Sequence, residues 1–274
     1  MKVFFSRAEI GQAMATVFGD LLKGGTEQDV YTQSTTKNYN IGSKKQVYDR
    51  TFRYSYAFAD LAALARLVVN SNYEGGVTGH LNANGYEGTA YAALRGQAYL
   101  DIKDTALRAA DFYQGGKVII YGSTIFHQYE IVSSDAGNGT YVRLYLLSPI
   151  VVEDVTASMG VTAYRSPYSA VAPAGSVQVG FETFIGVNLI PVTHGYYFWL
   201  QTAGPCIVTP TGGTWPGSAV NLRAVYPNPS DGTIQPATIS DPSEGYQCIG
   251  FLLSATGGTA NDYGDLWIQL RLDV

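Results

Sequence analysis

KVIIYGSTIFHQYEIVSSDAGNGTYVRLYLLSPIVVEDV, residues 117–155, decides the fold class. It holds four β-type runs in about forty residues: Lys117–Tyr121, Ile125–Ser133, Tyr141–Leu147 and Val151–Val155. Asp135-Ala136-Gly137-Asn138-Gly139 lies between the second and third and supplies residues that tolerate positive φ. Short strands broken by turns at this spacing predict a small barrel or sandwich.

A second β unit follows the Pro167-Tyr168 and Ala/Pro/Gly stretch at 170–175. Its expected strands are Val177–Phe181, Gly186–Val192, Tyr196–Thr202, Cys206–Thr209, Tyr246–Leu253 and Leu266–Leu272. In the last, Leu266, Ile268, Leu270 and Leu272 alternate with Trp267, Gln269, Arg271 and Asp273, the two-residue period of a half-buried strand. Residues 226–245 carry four prolines and read as a turn-rich excursion. Upstream, Phe52–Tyr56 alternates like a strand, residues 60–67 fit either a helical turn or a strand, and residues 70–90 read as a loop with short strands.

The N-terminus reads differently. Ser6-Arg7-Ala8-Glu9 is a capping box. Ile10, Ala13, Met14, Val17, Phe18 and Leu21 follow at helical spacing, and Gly24-Gly25 stop the run. Residues 26–50 are polar and are expected to form an arm or surface excursion. The expectation is therefore a mainly β protein. An amphipathic helix and extended arm (1–50) precede two small β-barrel or sandwich units, at 51–168 and 169–274.

Composition narrows the function. Charged residues make up 14% of the 274, against about 25% in an average soluble domain. The 21 Tyr outnumber the 17 Lys and Arg together. Residues 1–66 hold nine cations and six anions, and the remainder holds eight and sixteen. A nucleic-acid partner needs clustered cations, which the larger part of the chain lacks. Lys44, Lys45 and Arg50 with Arg53 form the densest basic cluster, read as a solvated face or a docking arm. No run approaches the ~18 apolar residues of a membrane span. Ser6, Arg7 and Glu9 end any signal-like start, so a protein that stays soluble after synthesis in the cytosol is expected.

Signals of chemistry are few. His80, His127 and His194 lack metal-ligand spacing, and no GxSxG, Walker loop or GxGxxG occurs. No metal or cofactor is expected. Glu153-Asp154 would point to opposite faces of a strand, which does not suit a glycosidase pair. Cys206 and Cys248 lack zinc spacing and sit among apolar neighbours, so two buried thiols are expected. Tyr196, Tyr197, Phe198 and Trp199 are expected to alternate, with one pair buried and the other available to a subunit interface or a sugar ring.

Several segments together resemble a known group. They are Phe52-Arg53-Tyr54, Ala109 through Gly116, Tyr129-Glu130-Ile131, Pro167-Tyr168, Tyr196 through Cys206 and Ile249-Gly250. Over roughly residues 50–274 the chain resembles uncharacterised β-rich virion proteins of tailed phages, whose genes often neighbour that of the major capsid protein. The resemblance implies a head-associated structural protein, a capsid decoration (cement) protein in the virion, with no catalytic residues. Its implied partners are the major capsid protein and itself, as a homotrimer on threefold positions. Ile10, Met14, Val17, Phe18, Leu21, Lys44, Lys45 and Arg50 would dock on the capsid, and the Tyr196–Trp199 segment would form the oligomer interface. The alternative is a tail- or fibre-associated module that grips host surface glycan through exposed aromatics. The major capsid protein itself fits less well, because no helical pattern of ~25 residues is present. An enzyme fits least.

Overall fold

A computed structural model describes residues 27–70, 85–123, 125–175, 183–211, 223–236, 247–255 and 266–273. The protein is mainly β, built from two curled antiparallel sheets. The expected helix at 6–23, with Ile10, Met14, Val17, Phe18 and Leu21, lies outside the described residues.

The smaller sheet has six strands: β4 (Gly85–Thr89), β5 (Tyr99–Ile102), β6 (Lys117–Tyr121), β7 (Phe126–Ser134), β8 (Val142–Leu146) and β9 (Gly160–Tyr164). Their spatial order is β4-β9-β6-β7-β8-β5. The sheet curls until its two edge strands meet, where Ala90 bridges Ile102 and the Lys103 N–H donates to Thr89. The two-residue period explains the curl's inside. His127, Tyr129 and Ile131 of β7 face in, while Phe126, Gln128 and Glu130 face out. Val118, Ile120, Leu144, Val161 and Ala163 join them in one buried core. Residues 135–141 form the expected hairpin turn, with the Asn138 side chain accepting from the Thr140 and Tyr141 N–H groups. The fourth expected strand, 151–155, is not one. This segment lies across the curl's end, tied by a single bridge from Val155 to Ala93.

The larger sheet has ten strands. β1 (Lys44–Val47), β2 (Arg50–Tyr56) and β3 (Arg66–Asn70) precede the small sheet in the chain. β10 (Val171–Pro173), β11 (Phe184–Asn188), β12 (Tyr197–Ile207), β13 (Ala224–Pro227), β14 (Ile234–Pro236), β15 (Gly250–Ala255) and β16 (Leu266–Arg271) follow it. The expected division at residues 51 and 168 therefore does not match the sheets. β2 runs beside β12 from Thr51 to Tyr56, and β3 pairs with both β10 and β11. Residues 85–164 are instead an insertion between β3 and β10. Asn70 and Val171, which flank it, are paired across those neighbouring strands.

β12 merges the two runs expected at 196–202 and 206–209. Gln201 faces Phe52 of β2 and Val187 of β11, and Cys206 faces Ile268 of β16. Gly204 lets the strand continue: its φ is +92°, and a Cβ there would stand 2.2 Å from the Asp49 carbonyl. Neighbouring residues of β3 enter different cores, Leu67 and Val69 one and Val68 another. Both faces of the sheet are covered. That is why Phe198, Trp199, Leu200, Gln201 and Thr202 are all buried rather than alternating.

The cover on one face is the segment expected to be a free arm. Residues 27–43 lie on β2 and β12, with Gln28, Val30 and Ile41 buried. The Gln28 side-chain amide donates to the Tyr197 and Thr32 carbonyls, and its oxygen accepts from the Tyr54 hydroxyl (2.9 Å) and Asn38 (3.0 Å). Its backbone carbonyl accepts from the Trp199 indole and from Lys45. Tyr39 packs on Tyr54 and Trp199 with ring centroids 5.1 and 5.0 Å apart. Most of the segment is exposed, as a surface excursion would be, while Gln28 satisfies buried donors and acceptors beneath it.

Gln28→Leu removes both halves of this exchange and leaves the Tyr54 hydroxyl buried without an acceptor. The expected cost is about 1–3 kcal/mol, the price of one unsatisfied buried polar group, read as a lower denaturant midpoint with an unchanged m-value. An unchanged midpoint would contradict the clamp.

Candidate contact surface

Among the described residues, the polar groups singled out in the sequence are engaged in contacts within the chain. The Ser123 hydroxyl donates to Glu153 Oε2 at 2.9 Å, and Glu153 Oε1 lies 3.2 Å from His127 Nε2. The carboxylate stands between serine and imidazole, so the imidazole does not reach the hydroxyl. Hydrogen bonds from Ser123 hold the Glu153 carboxyl below its ordinary range. The trio serves as an anchor, binding the β6–β7 hairpin tip to residues 151–153. Asp154 accepts from the Arg95 N–H, and Asp101 binds Arg143, so the paired carboxylates read from the sequence serve separate contacts. Among the described residues no three His, Cys, Asp or Glu side chains gather as a metal site. His194 lies edge-on to Phe58, and His80 lies outside the described residues.

A second buried polar cluster is also structural. The Tyr113 hydroxyl donates to Asp104 at 2.6 Å, and Arg108 Nε donates to the same carboxylate at 2.8 Å. Burial, then the hydrogen bond to Asp104, pushes the Tyr113 hydroxyl up. Beside it, the Arg108 and Arg165 guanidinium groups pack on the Phe112 ring at 4.5 and 4.3 Å. This cluster adjoins the joint between the sheets. There Lys37 pairs with Asp111, Gln114 donates to Asn40, and Gly115 fits beneath the Ile41 carbonyl at a φ of +70°.

Of the residues expected at docking and oligomer surfaces that the structure describes, Phe198 and Trp199 are buried, Lys45, Arg50, Tyr196 and Tyr197 are partly buried, and Lys44 is exposed. Lys44 pairs with Asp273 at 2.6 Å, and Lys45 pairs with Glu27 and stands over Trp199. Arg50 donates to the Tyr31 hydroxyl and packs on Phe52. Trp199 and Phe198 are 2% and 0% exposed, so they belong to the chain's own core. Tyr197 stacks on Tyr54 with an interplanar angle of 6°. Tyr196 is half-buried against the same core. Cys206 is buried as expected, and burial raises its thiol to about 12. Cys248 is exposed, contrary to expectation, because it precedes β15 instead of lying within it; both thiols are free.

Exposed apolar side chains occur on both sheets, and one group of them lies at one end of the small sheet. Phe126 is 74% exposed, and Ile125, Val151, Val152 and Tyr121 are exposed with it. Tyr121 faces Phe126 across the hairpin, with their rings edge to face at 5.1 Å. The Glu153 anchor, with the Val151 N–H donating to the Tyr129 hydroxyl, brings Val151 and Val152 to the same end. Exposed apolar groups drawn together in this way make a candidate interaction site. The sequence shows Ile125 and Phe126 only as strand residues. Their outward side was fixed once His127 took the inner position.

Comparison with family models, curated proteins and solved structures finds no match to this chain.

The ionisable groups predict how the aromatic core fails. Burial pushes the Tyr54 hydroxyl up to about 12, partly offset by the Asn38 N–H that donates to it. An unfolded tyrosine ionises near 10. Tyr54's contribution is therefore complete below pH 10 and declines between pH 10 and 12, where only the unfolded chain loses the proton. Alkaline titration should show the tyrosinate absorbance of this core arriving together with loss of near-UV circular dichroism. Ionisation with full retention of that signal would contradict it. At the acid end, burial of Asp273 works to raise its carboxyl, but hydrogen bonds from Lys44 and Arg53 outweigh it and hold it low. That contribution is present above the unfolded carboxylate pKa of ~3.9 and is lost as pH falls through the depressed folded value.

Proposed function

We propose that this protein is a structural subunit of a tailed-phage particle, a decoration protein that binds the head and stabilises it. The observation that carries the reading is the apolar end formed by Tyr121, Ile125, Phe126, Val151 and Val152. This surface is fixed by the Glu153 anchor before any partner arrives, so little ordering entropy opposes docking. The low charge, the excess of Tyr and the resemblance of residues 50–274 support the same reading. In this account the apolar end meets the major capsid protein, and the subunits associate as a trimer. Residues 27–50 contribute to the folded body and not to docking, since Lys44, Lys45 and Arg50 are engaged within the chain. The glycan reading built on Trp199 loses its support, because that ring is enclosed.

Purified protein added to heads that lack it should sediment with them. Phe126→Asp combined with Val151→Asp should lower this binding at least tenfold while leaving the thermal midpoint within a few degrees, since both side chains are exposed. Full binding by the double variant, or no binding by the native chain, would overturn the proposal. Deleting residues 1–50 should abolish the fold by removing Gln28, Tyr39 and β1.

A further inference from the structure

A different face of the small sheet carries another pattern. Tyr99 and Asp101 of β5 stand directly opposite Tyr145 and Arg143 of β8, all on the outer side. Asp101 takes both Arg143 Nε and a terminal guanidinium nitrogen, at 2.7 and 2.8 Å. The Arg143 guanidinium lies 4.3 Å from the Tyr99 ring centre. The Tyr145 hydroxyl donates to Asp135 at 3.3 Å. Tyr141 meets Tyr91 edge to face, and Lys103 stands over Tyr91. Tyr91 and Tyr145 are 40% and 36% exposed.

We infer that this outer face of β5 and β8 is a binding site for neutral polysaccharide. Tyr145 offers a partly open ring against which the C–H face of a sugar can lie, and Tyr91 offers the part of its ring that Lys103 and Tyr141 leave uncovered. Between them, planar Asp101 and Arg143 are already oriented by each other. The carboxylate oxygens retain lone pairs for sugar hydroxyls after accepting from Arg143. Tyr141 to Tyr145 spans ~13 Å along the strand, room for more than one sugar ring.

The charges select the ligand. Lys103 and Arg143 balance Asp101 and Asp135, so the face has no surplus cation to favour nucleic acid or an acidic glycan. A protein interface is also less apt. Interface centres are depleted in charged residues, whereas here an ion pair occupies the middle. The site is distinct from the apolar end around Phe126 and does not rest on the head-binding proposal.

The test uses the full chain on immobilised polymers of glucose, mannose, galactose and N-acetylglucosamine, with uronic-acid polymers for comparison. Binding to at least one neutral polymer is expected, changing less than twofold between low and high salt. Tyr145→Ala and Tyr91→Ala should each weaken it at least tenfold, Tyr145→Phe should retain most of it, and Phe126→Asp should leave it unchanged. Circular dichroism confirms that each variant is folded. Should Tyr145→Ala fail to fold, Tyr91→Ala and Tyr145→Phe still decide the matter. No binding to any neutral polymer, a preference for the acidic polymers that fades with salt, or full binding by the Tyr91→Ala variant would overturn the inference. A loss of binding matched by loss of self-association would assign the face to a subunit contact instead.

Discussion

The Gln28 carboxamide is the contact on which the larger sheet depends. It gives the Tyr54 hydroxyl an acceptor, caps the Tyr197 carbonyl and receives Asn38. Without it, the Tyr54 hydroxyl would lose its acceptor and the Tyr197 carbonyl a donor in a part-buried setting. Because Gln28 helps close this face of β2 and β12, β12 is enclosed on both sides and serves as the sheet's centre, bounded by β2, β11 and β16. The same arm continues to Tyr39, Asn40 and Ile41, where it meets Gln114 and Gly115 of the small sheet. A single polar segment thus completes one core and joins it to the other unit.

This arrangement divides the labour between the sheets. The larger one has its aromatic segment and basic strand engaged within the chain. The smaller one enters as an insertion whose ends are paired strands, so it protrudes without interrupting the larger sheet's ladder. It also leaves apolar and tyrosine side chains open, at the hairpin tip and on the β5–β8 face. Both open surfaces are held by internal ion pairs or hydrogen bonds, Glu153 with Ser123 in one case and Asp101 with Arg143 in the other.

Much of the β structure was legible because period two is visible wherever one face is wet. Lys117–Tyr121 and Leu266–Arg271 are strands almost as read. The pattern failed where both faces are buried. Tyr196–Trp199 looked like an amphipathic pair of pairs, but its second face is covered by residues distant in sequence. Residues 27–43 were legible only in part, for the complementary reason. Their Gln and Asn side chains satisfy a buried network, and polarity alone does not separate that use from solvation. Val151–Val155 has strand composition but finds no partner strand. The division into domains was hidden because the pairing of β2 with β12 spans more than a hundred residues, beyond any local signal. The site followed the same rule: outward-facing Phe126 and Tyr145 carry no mark in the sequence until the inward register is known.

The proposed role is that of a surface subunit of a phage head, attached through the apolar end of the inserted sheet. A symmetry-averaged reconstruction of intact particles tests this most directly. It should place the chain on the outside of the head in many symmetry-related copies, with Phe126 and Val151 against the shell and the larger sheet away from it. Finding the chain only at the tail, or on the head with the apolar end facing solvent, would contradict the account.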